Sequence, residues 1–363
     1  MPEILDWRSA EQPHEVVRSA VEALRQGGLV ALPTAAGYLV AANAEHRDAG
    51  DRLLGRLAGD SVEALVSATD EVERWAGHLP GRTGRTLARL WPGPVRLVVS
   101  VTEEGAAKLP GRRWSAKGIL RFCSPLHEAA EGVLANAEFP IVAGALQTSG
   151  GAEANAAIVV DAWGEQLALA VDDGPLPPHE ITTLALDSTV WRVERIGTIS
   201  AAMVAVAAAR WVVFVCTGNT CRSPMTEALC KALLAKRLGC AIDELPARGW
   251  CVFSAGVAAY GGDGASPEAI DALRALDVDL GWHRSRPLTA ELVAQADELI
   301  GMTRSHLLAV LSRFPVVGGA LRLLGGIEGD LDDPIGGSPE VYEVCARTIF
   351  RYLDRLITEL ICR

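Results

Sequence analysis

At 363 residues, 49% of them hydrophobic and 22% charged, the chain has the composition of a globular protein and the length for two domains with separate cores. A formal net charge of −11, about −8 before Arg210 and −3 from there on, argues against a nucleic-acid groove or an anionic membrane surface as the main partner. No stretch reaches the run of about 18 uncharged apolar residues that a membrane span requires. The opening "MPEILDWRSAEQPHE" lacks a signal peptide's basic-then-apolar order, so the expected setting is the cytoplasm. The eight cysteines then read as thiols, and no C-x2-C pair points to structural zinc.

In chain order, the first half offers "GGLVALPT", "VRLVVSV", "FPIVAGAL" and "ITTLALDSTVWRV" as strands. "SAAMVAVAAAR" reads as a short helical seam. After it come "WVVFVC" as a buried strand and "SPMTEALCKALLAKRL" as a helix with Pro one residue past a Ser cap. "CVFSAG", "DELIGM" and "ALRLLG" follow as strands, with "SPEAIDALRAL", "RSHLLAVLSRF" and a long closing "SPEVYEVCARTIFRYLDRLITELI" as helices. The expected fold is α/β in two domains, residues 1–209 built on a twisted sheet and residues 210–363 on a doubly wound, four-stranded parallel sheet.

The stretch "WVVFVCTGNTCRSPM" carries the chemistry. A loop that leaves a parallel strand and enters a helix N-terminus aims backbone N–H groups at one place, where the helix dipole favours an anion. Gly218 would supply a tight or left-handed backbone, and Arg222 could clamp a phosphate with two parallel hydrogen bonds. The same field is expected to lower the pKa of Cys216 and make it a nucleophile at neutral pH. Spacing alone does not carry this, because Cys345 also has an arginine six residues on, Arg351, yet lies in a helical pattern without glycine or a preceding strand. A general acid is sought in "GDLDDPIGGSPEVY", where Asp330, Asp332 and Asp333 could equally be turn and capping residues. With Arg222, the N–H cradle and a carboxyl supplying charge neutralisation and proton transfer, neither metal nor cofactor is implied.

The segments "VCTGNTCRSPM", "FSAGVAAYGGDGASPEA", "LGWHRSRPLT" and "DDPIGGS" resemble, in order and spacing, the low-molecular-weight protein tyrosine phosphatase superfamily over nearly all of residues 211 to 363. That resemblance implies Cys216 as nucleophile, Arg222 as phosphate clamp and Asp333 as general acid acting on a phosphorylated protein. Thr217, Gly218, Asn219, Thr220, Cys221 and Ser223 would form the phosphate cradle, with Ser223 hydrogen-bonded to the thiolate and Asn219, Ser254 and His283 supporting the loop. Thr220, and Ile335-Gly336-Gly337 after the Asp-Pro, look like the protein-arginine-phosphatase branch, which favours phosphoarginine over phosphotyrosine; protein-tyrosine phosphatase is the alternative. Arsenate reductases share the fold but use two further cysteines, and none stands between Cys251 and Cys345. Cys221 could form a protective disulfide with Cys216 or simply be a packed thiol.

The first half, over about residues 10 to 205, resembles the YrdC-like family, which includes threonylcarbamoyl-AMP synthases of tRNA modification. The resemblance rests on Pro33-Thr34 with Tyr38, Trp91-Pro92-Gly93-Pro94, Arg121, Ser188-Thr189-Val190 and the Arg195 to Ile199 segment. It implies a pocket around Thr34, Tyr38, Arg121, Ser149, Ser188 and Arg195. The family's K-x-R motif is missing near residues 50 to 65, Ala35 replaces an acidic residue, and "QTSGG" replaces Ser-Ala-Asn. The only lysines before Arg210 are Lys108 and Lys117. The expectation is a domain that no longer condenses ATP, threonine and bicarbonate and serves as a ligand-binding or regulatory module for a small molecule or nucleotide. A bifunctional synthase, or a ligand-sensing module to which the phosphatase is secondary, are the rival readings.

Overall fold

The computed structural model describes residues 2–362 except 58–61, 78, 80, 101–113, 115–117, 146–154, 177–179 and 188–189, so Ser149 and Ser188 lie outside the described residues. The chain divides into two compact units, Met1–Val204 and Ala205–Arg363.

Unit 1 is built on a ten-stranded mixed sheet. Its strands are β1 (Glu3–Asp6), β2 (Leu29–Thr34), β3 (Gly37–Asn43), β4 (Val62–Leu65), β5 (Val95–Ser100), β6 (Ile119–Cys123), β7 (Ile141–Gly144), β8 (Leu167–Asp172), β9 (Thr182–Asp187) and β10 (Val190–Arg195). They lie in the order β1-β8-β2-β3-β7-β4-β6-β5-β9-β10. Two readings of the sequence are refined. "ITTLALDSTVWRV" is not one strand but the antiparallel pair β9 and β10, and "GGLVALPT" turns back at once into β3, antiparallel to β2. Helices Pro13–Arg25 and Glu128–Asn136 cover one face, where Val17, Val21 and Leu24 pack against Val30, Leu32 and Val133.

Unit 2 has four parallel strands, β11 (Arg210–Cys216), β12 (Trp250–Gly256), β13 (Glu298–Gly301) and β14 (Ala320–Leu323), in the order β12-β11-β13-β14. β11 is flanked on both sides, pairing with β12 from Arg210 to Cys216 and with β13 from Val212 to Val215. That central place explains its unbroken apolar run, since both faces must be covered. Val212 and Phe214 face one core, with Met225, Leu229 and Leu233 of helix Arg222–Leu238, Leu273 of Pro267–Arg274, and Ile349 and Leu353 of Pro339–Ile361. Val213 and Val215 face the other, with Val293 of the short helix Ala290–Gln295 and Val310 of Arg304–Arg313. Each such side chain, fully buried, contributes roughly 1.5–3 kcal/mol of transfer free energy. The doubly wound arrangement is thus present, and its strand order reverses beside β11, where open α/β sheets form a crevice at the carboxyl ends of the strands.

Candidate active site

Cys216 is the last residue of β11, 3% exposed, and helix Arg222–Leu238 begins six residues on. The backbone N–H groups of Asn219 and Ser223 face its sulfur, and Ser223 Oγ lies 2.9 Å from Cys216 Sγ. Ser223 is therefore not the helix cap that the Ser-Pro pattern suggests. Cys221 holds the cap position, and Ser223 and Pro224 sit in the first turn, where a proline costs no intrahelical hydrogen bond.

Glycine's place in the loop also differs from expectation. The left-handed residue is Asn219, with φ 56°, a conformation asparagine tolerates better than most side chains. Around Gly218 an added Cβ would meet only Thr220 Oγ1, at 3.6 Å. The tight approach is at Gly256, the end of β12, where a Cβ would stand 2.5 Å from Thr217 O and 3.1 Å from Asn219 N. Gly256 is what lets the cysteine loop lie against the neighbouring strand.

Asn219 ties the loop to three other segments. Its Oδ1 accepts the Arg286 N–H at 2.9 Å, which turns Nδ2 toward the hydroxyls of Ser223 and Ser254, each at 2.9 Å. Its carbonyl accepts from His283 Nε2 at 2.7 Å, and burial holds that imidazole below its usual pKa and so neutral. Ser254 Oγ in turn donates to the buried Glu227 carboxylate at 2.6 Å, whose other oxygen takes Lys231 Nζ at 2.5 Å. Donors and acceptors along this chain leave one assignment. A carboxylate only accepts, so Ser254 donates to it and accepts from Asn219; Ser223 likewise accepts from Asn219 and is left to donate its proton to Cys216 Sγ. Glu227 escaped the sequence reading, although one of only four lysines stands four residues after it.

The electrostatic balance at Cys216 corrects the expected thiolate. Burial pushes the thiol up, and the Ser223 hydroxyl, the Ser223 and Asn219 N–H groups and Arg222 pull it down without overcoming burial. Arg222 is itself engaged. It is 5% exposed, pairs through Nη2 with Asp333 Oδ2, and donates from Nη1 to Leu331 O at 3.4 Å. Asp333 Oδ1 accepts the Ile335 N–H at 3.3 Å. Asp330 instead accepts the Arg304 N–H at 2.9 Å, the capping role foreseen for such residues, and Asp332 is exposed. Of the three neighbouring carboxylates, Asp333 is the one paired with the guanidinium.

The remaining loop residues have partners on other elements. Cys221 is a free thiol, its sulfur 3.4 Å from Ser266 Oγ, 3.6 Å from Tyr342 OH and 3.7 Å from Thr220 Oγ1. Thr217 Oγ1 lies 3.0 Å from Nε2 of His306, a buried residue that the sequence reading did not single out. The site thus gathers a buried sulfur, a guanidinium, converging N–H groups and a carboxyl, the parts needed to displace a group from phosphorus and to protonate what leaves. Among the described residues, no three His, Cys, Asp or Glu side chains are grouped as metal ligands.

Of the expected pocket residues of unit 1, the described ones are Thr34 and Tyr38 on the β2–β3 hairpin, Arg121 on β6 and Arg195 on β10. Thr34 closes the β2–β3 turn, donating to Gly37 O at 2.6 Å and accepting the Ala36 N–H at 3.1 Å. The buried Tyr38 hydroxyl donates to Gly174 O and accepts the Asp173 N–H, both at 2.8 Å. Arg121 is half-buried on β6, and Arg195 is exposed on β10, with five strands between β3 and β10. Arg52 and Arg56, in the segment where K-x-R is missing, donate to the carbonyls of Gly27 and Ala162.

Comparison with known proteins agrees with the cysteine-loop geometry. Residues 211–362 match the family model for low molecular weight phosphotyrosine protein phosphatase, and residues 22–197 match the YrdC-type model described as telomere recombination. Over 153 residues the chain is 38% identical to a protein-arginine-phosphatase of Bacillus subtilis, an alignment covering 41% of this chain and 95% of that protein. It is 31% identical over 150 residues to a probable low molecular weight protein-tyrosine-phosphatase of Ralstonia nicotianae, covering 41% and 94% of the two chains. The longest of these likenesses, 29% over 216 residues, is to a putative threonylcarbamoyl-AMP synthase of Mycobacterium leprae and covers 56% of this chain and 93% of that one. Through its second unit the chain belongs to the low molecular weight phosphotyrosine protein phosphatase family.

Proposed function

We propose that the chain hydrolyses phosphorylated protein through a cysteinyl-phosphate at Cys216, with phosphoarginine as the preferred group, in the cytoplasm. The observation that carries this is the convergence of Cys216, Ser223, Arg222 and Asp333 at one loop, with the Ser223 proton directed at the sulfur and the Asp333 carboxyl on the clamp. Cys216 gives up its proton to the Asp333 carboxylate by way of a phosphoryl oxygen, and the sulfur attacks phosphorus while Arg222 and the loop N–H groups hold the phosphoryl oxygens. The phosphorus–nitrogen bond breaks, and Asp333 protonates the departing guanidinium nitrogen. Asp333 then takes a proton from the water that attacks the phosphocysteine, and the sulfur leaves as a thiolate stabilised by Ser223. In the free protein Asp333 occupies the guanidinium that phosphate needs, so an arriving phosphoryl group displaces the carboxylate and frees it to face the leaving nitrogen.

Preference for phosphoarginine is supported by the similarity to the Bacillus protein and by Thr220, a half-buried hydroxyl on the loop. A hydroxyl can bond a planar guanidinium or orient water where an aliphatic side chain cannot. Steady-state hydrolysis of phosphoarginine and phosphotyrosine peptides tests it. Wild type prefers phosphoarginine, and Thr220→Ile lowers kcat/KM for that peptide by about tenfold or more while sparing phosphotyrosine. A wild type that prefers phosphotyrosine removes the arginine assignment and leaves the cysteine mechanism standing.

For unit 1 the supported role is a ligand-binding or regulatory module for a small molecule or nucleotide, without threonylcarbamoyl-AMP synthesis. Thr34 and Tyr38 are engaged in the framework, and Arg52 and Arg56 are turned to backbone carbonyls rather than held for a triphosphate.

A further inference from the structure

We propose that His306 is a positioning residue of the phosphate-binding loop: its neutral imidazole holds the Thr217 hydroxyl so that the hydroxyl proton is presented to the oxyanion bound beside Cys216. The inference rests on the cysteinyl-phosphate reading above and adds a residue to it.

His306 is the third residue of helix Arg304–Arg313 and 5% exposed. Its Nδ1 receives the backbone N–H of Thr303 at 3.2 Å, and a backbone N–H can only donate. Nδ1 is therefore the unprotonated nitrogen, and Nε2 carries the hydrogen that it donates to Thr217 Oγ1 at 3.0 Å. The Thr303 hydroxyl, 2.7 Å from Nδ1, reinforces the same tautomer. Burial and the nearby Arg222 charge keep the imidazole neutral down to about pH 4, against a smaller upward pull from Asp333 and Asp330. One nitrogen thus anchors the ring to the helix start and the other reaches the loop.

Thr217 directly follows the nucleophile, and its side chain has no second partner among the described residues. With one oxygen lone pair taken by His306, its own proton remains free for an incoming group. A hydroxyl already oriented by a rigid donor need not reorganise when charge builds on the phosphoryl oxygens, the condition under which a hydrogen bond lowers a barrier.

The test is a double-mutant cycle on the full chain with a phosphoarginine peptide, read together with Tm and with thermal stabilisation by inorganic phosphate. His306→Leu and Thr217→Val each lower kcat/KM by about five- to tenfold, and the double variant loses no more than either alone. His306→Gln, whose amide can still donate near the Nε2 position, keeps activity within about twofold of wild type although its Tm falls as far as that of His306→Leu. A purely structural role predicts the opposite pattern, with activity following Tm in all variants. Multiplying losses in the double variant, or His306→Gln as impaired as His306→Leu, overturns the proposal. A wild type that neither hydrolyses the peptide nor is stabilised by phosphate would instead remove the parent reading, an outcome separate from both.

Discussion

Cys216→Ser abolishes hydrolysis of every phosphorylated substrate, a loss of at least about four orders of magnitude in kcat, while the protein stays folded and still binds phosphate. The sulfur is 3% exposed at the end of a strand paired on both sides, so an oxygen in its place removes little packing. Asn219, Ser254, Glu227 and His283 do not depend on it, because their hydrogen bonds close among themselves and with Arg286. What the substitution removes is the nucleophile, since a serine hydroxyl is far less acidic than a thiol and a much weaker nucleophile in the same surroundings. Hydrolysis rates, Tm and phosphate-induced stabilisation check the three parts separately. Residual activity within tenfold of wild type would mean that the phosphoryl group is not transferred to Cys216.

Arg222→Lys is expected to be the second largest effect, about a thousandfold in kcat/KM with weakened phosphate binding. Arg222 is buried and uses two nitrogens at once, one on Asp333 and one on Leu331 O. A lysine ammonium keeps the charge but cannot span both partners, nor meet two phosphoryl oxygens with a planar fork. It also frees Asp333 from its present hold, so the loss falls on both the binding of phosphate and the placement of the proton donor. Kinetics on a phosphoarginine peptide, with phosphate as competitive inhibitor, separate the two. A loss below tenfold would show that the guanidinium is not the clamp.

The cysteine loop was legible because its signals are local. An apolar run, a cysteine at its end and an arginine six residues on, beside a Ser-Pro pair, can be read without knowing the fold, and the same spacing at Cys345 could be set aside for want of a strand. The errors arose where tertiary contacts decide. Gly218 is the expected bearer of a tight or left-handed backbone, but the left-handed residue is Asn219, held there by hydrogen bonds with Ser223 and with three residues 35 to 67 positions away that local sequence does not reveal. Gly256 matters only through the approach of the next strand. Glu227 and His306 sit in helical patterns as ordinary polar residues, and nothing in their spacing announces Ser254 or Thr217 as a partner. Burial reversed the expected shift at Cys216 because sequence shows the dipoles around a thiol and not the depth at which it lies. In the first unit the four-residue strands β1 and β4 are too short to show a period, and the β2–β3 turn depends on a threonine hydroxyl rather than on an Asn-Gly pair.

The most direct test of the cysteinyl-phosphate is an acid quench during turnover of a phosphoarginine peptide, in wild type and in Asp333→Asn, followed by intact and peptide mass measurement. The expected result is one phosphoryl group on the peptide containing Cys216, present in wild type during turnover and more abundant in Asp333→Asn, where the attacking water lacks its base. Turnover with no phosphoryl group on the protein, or with the group on any other residue, would contradict the account.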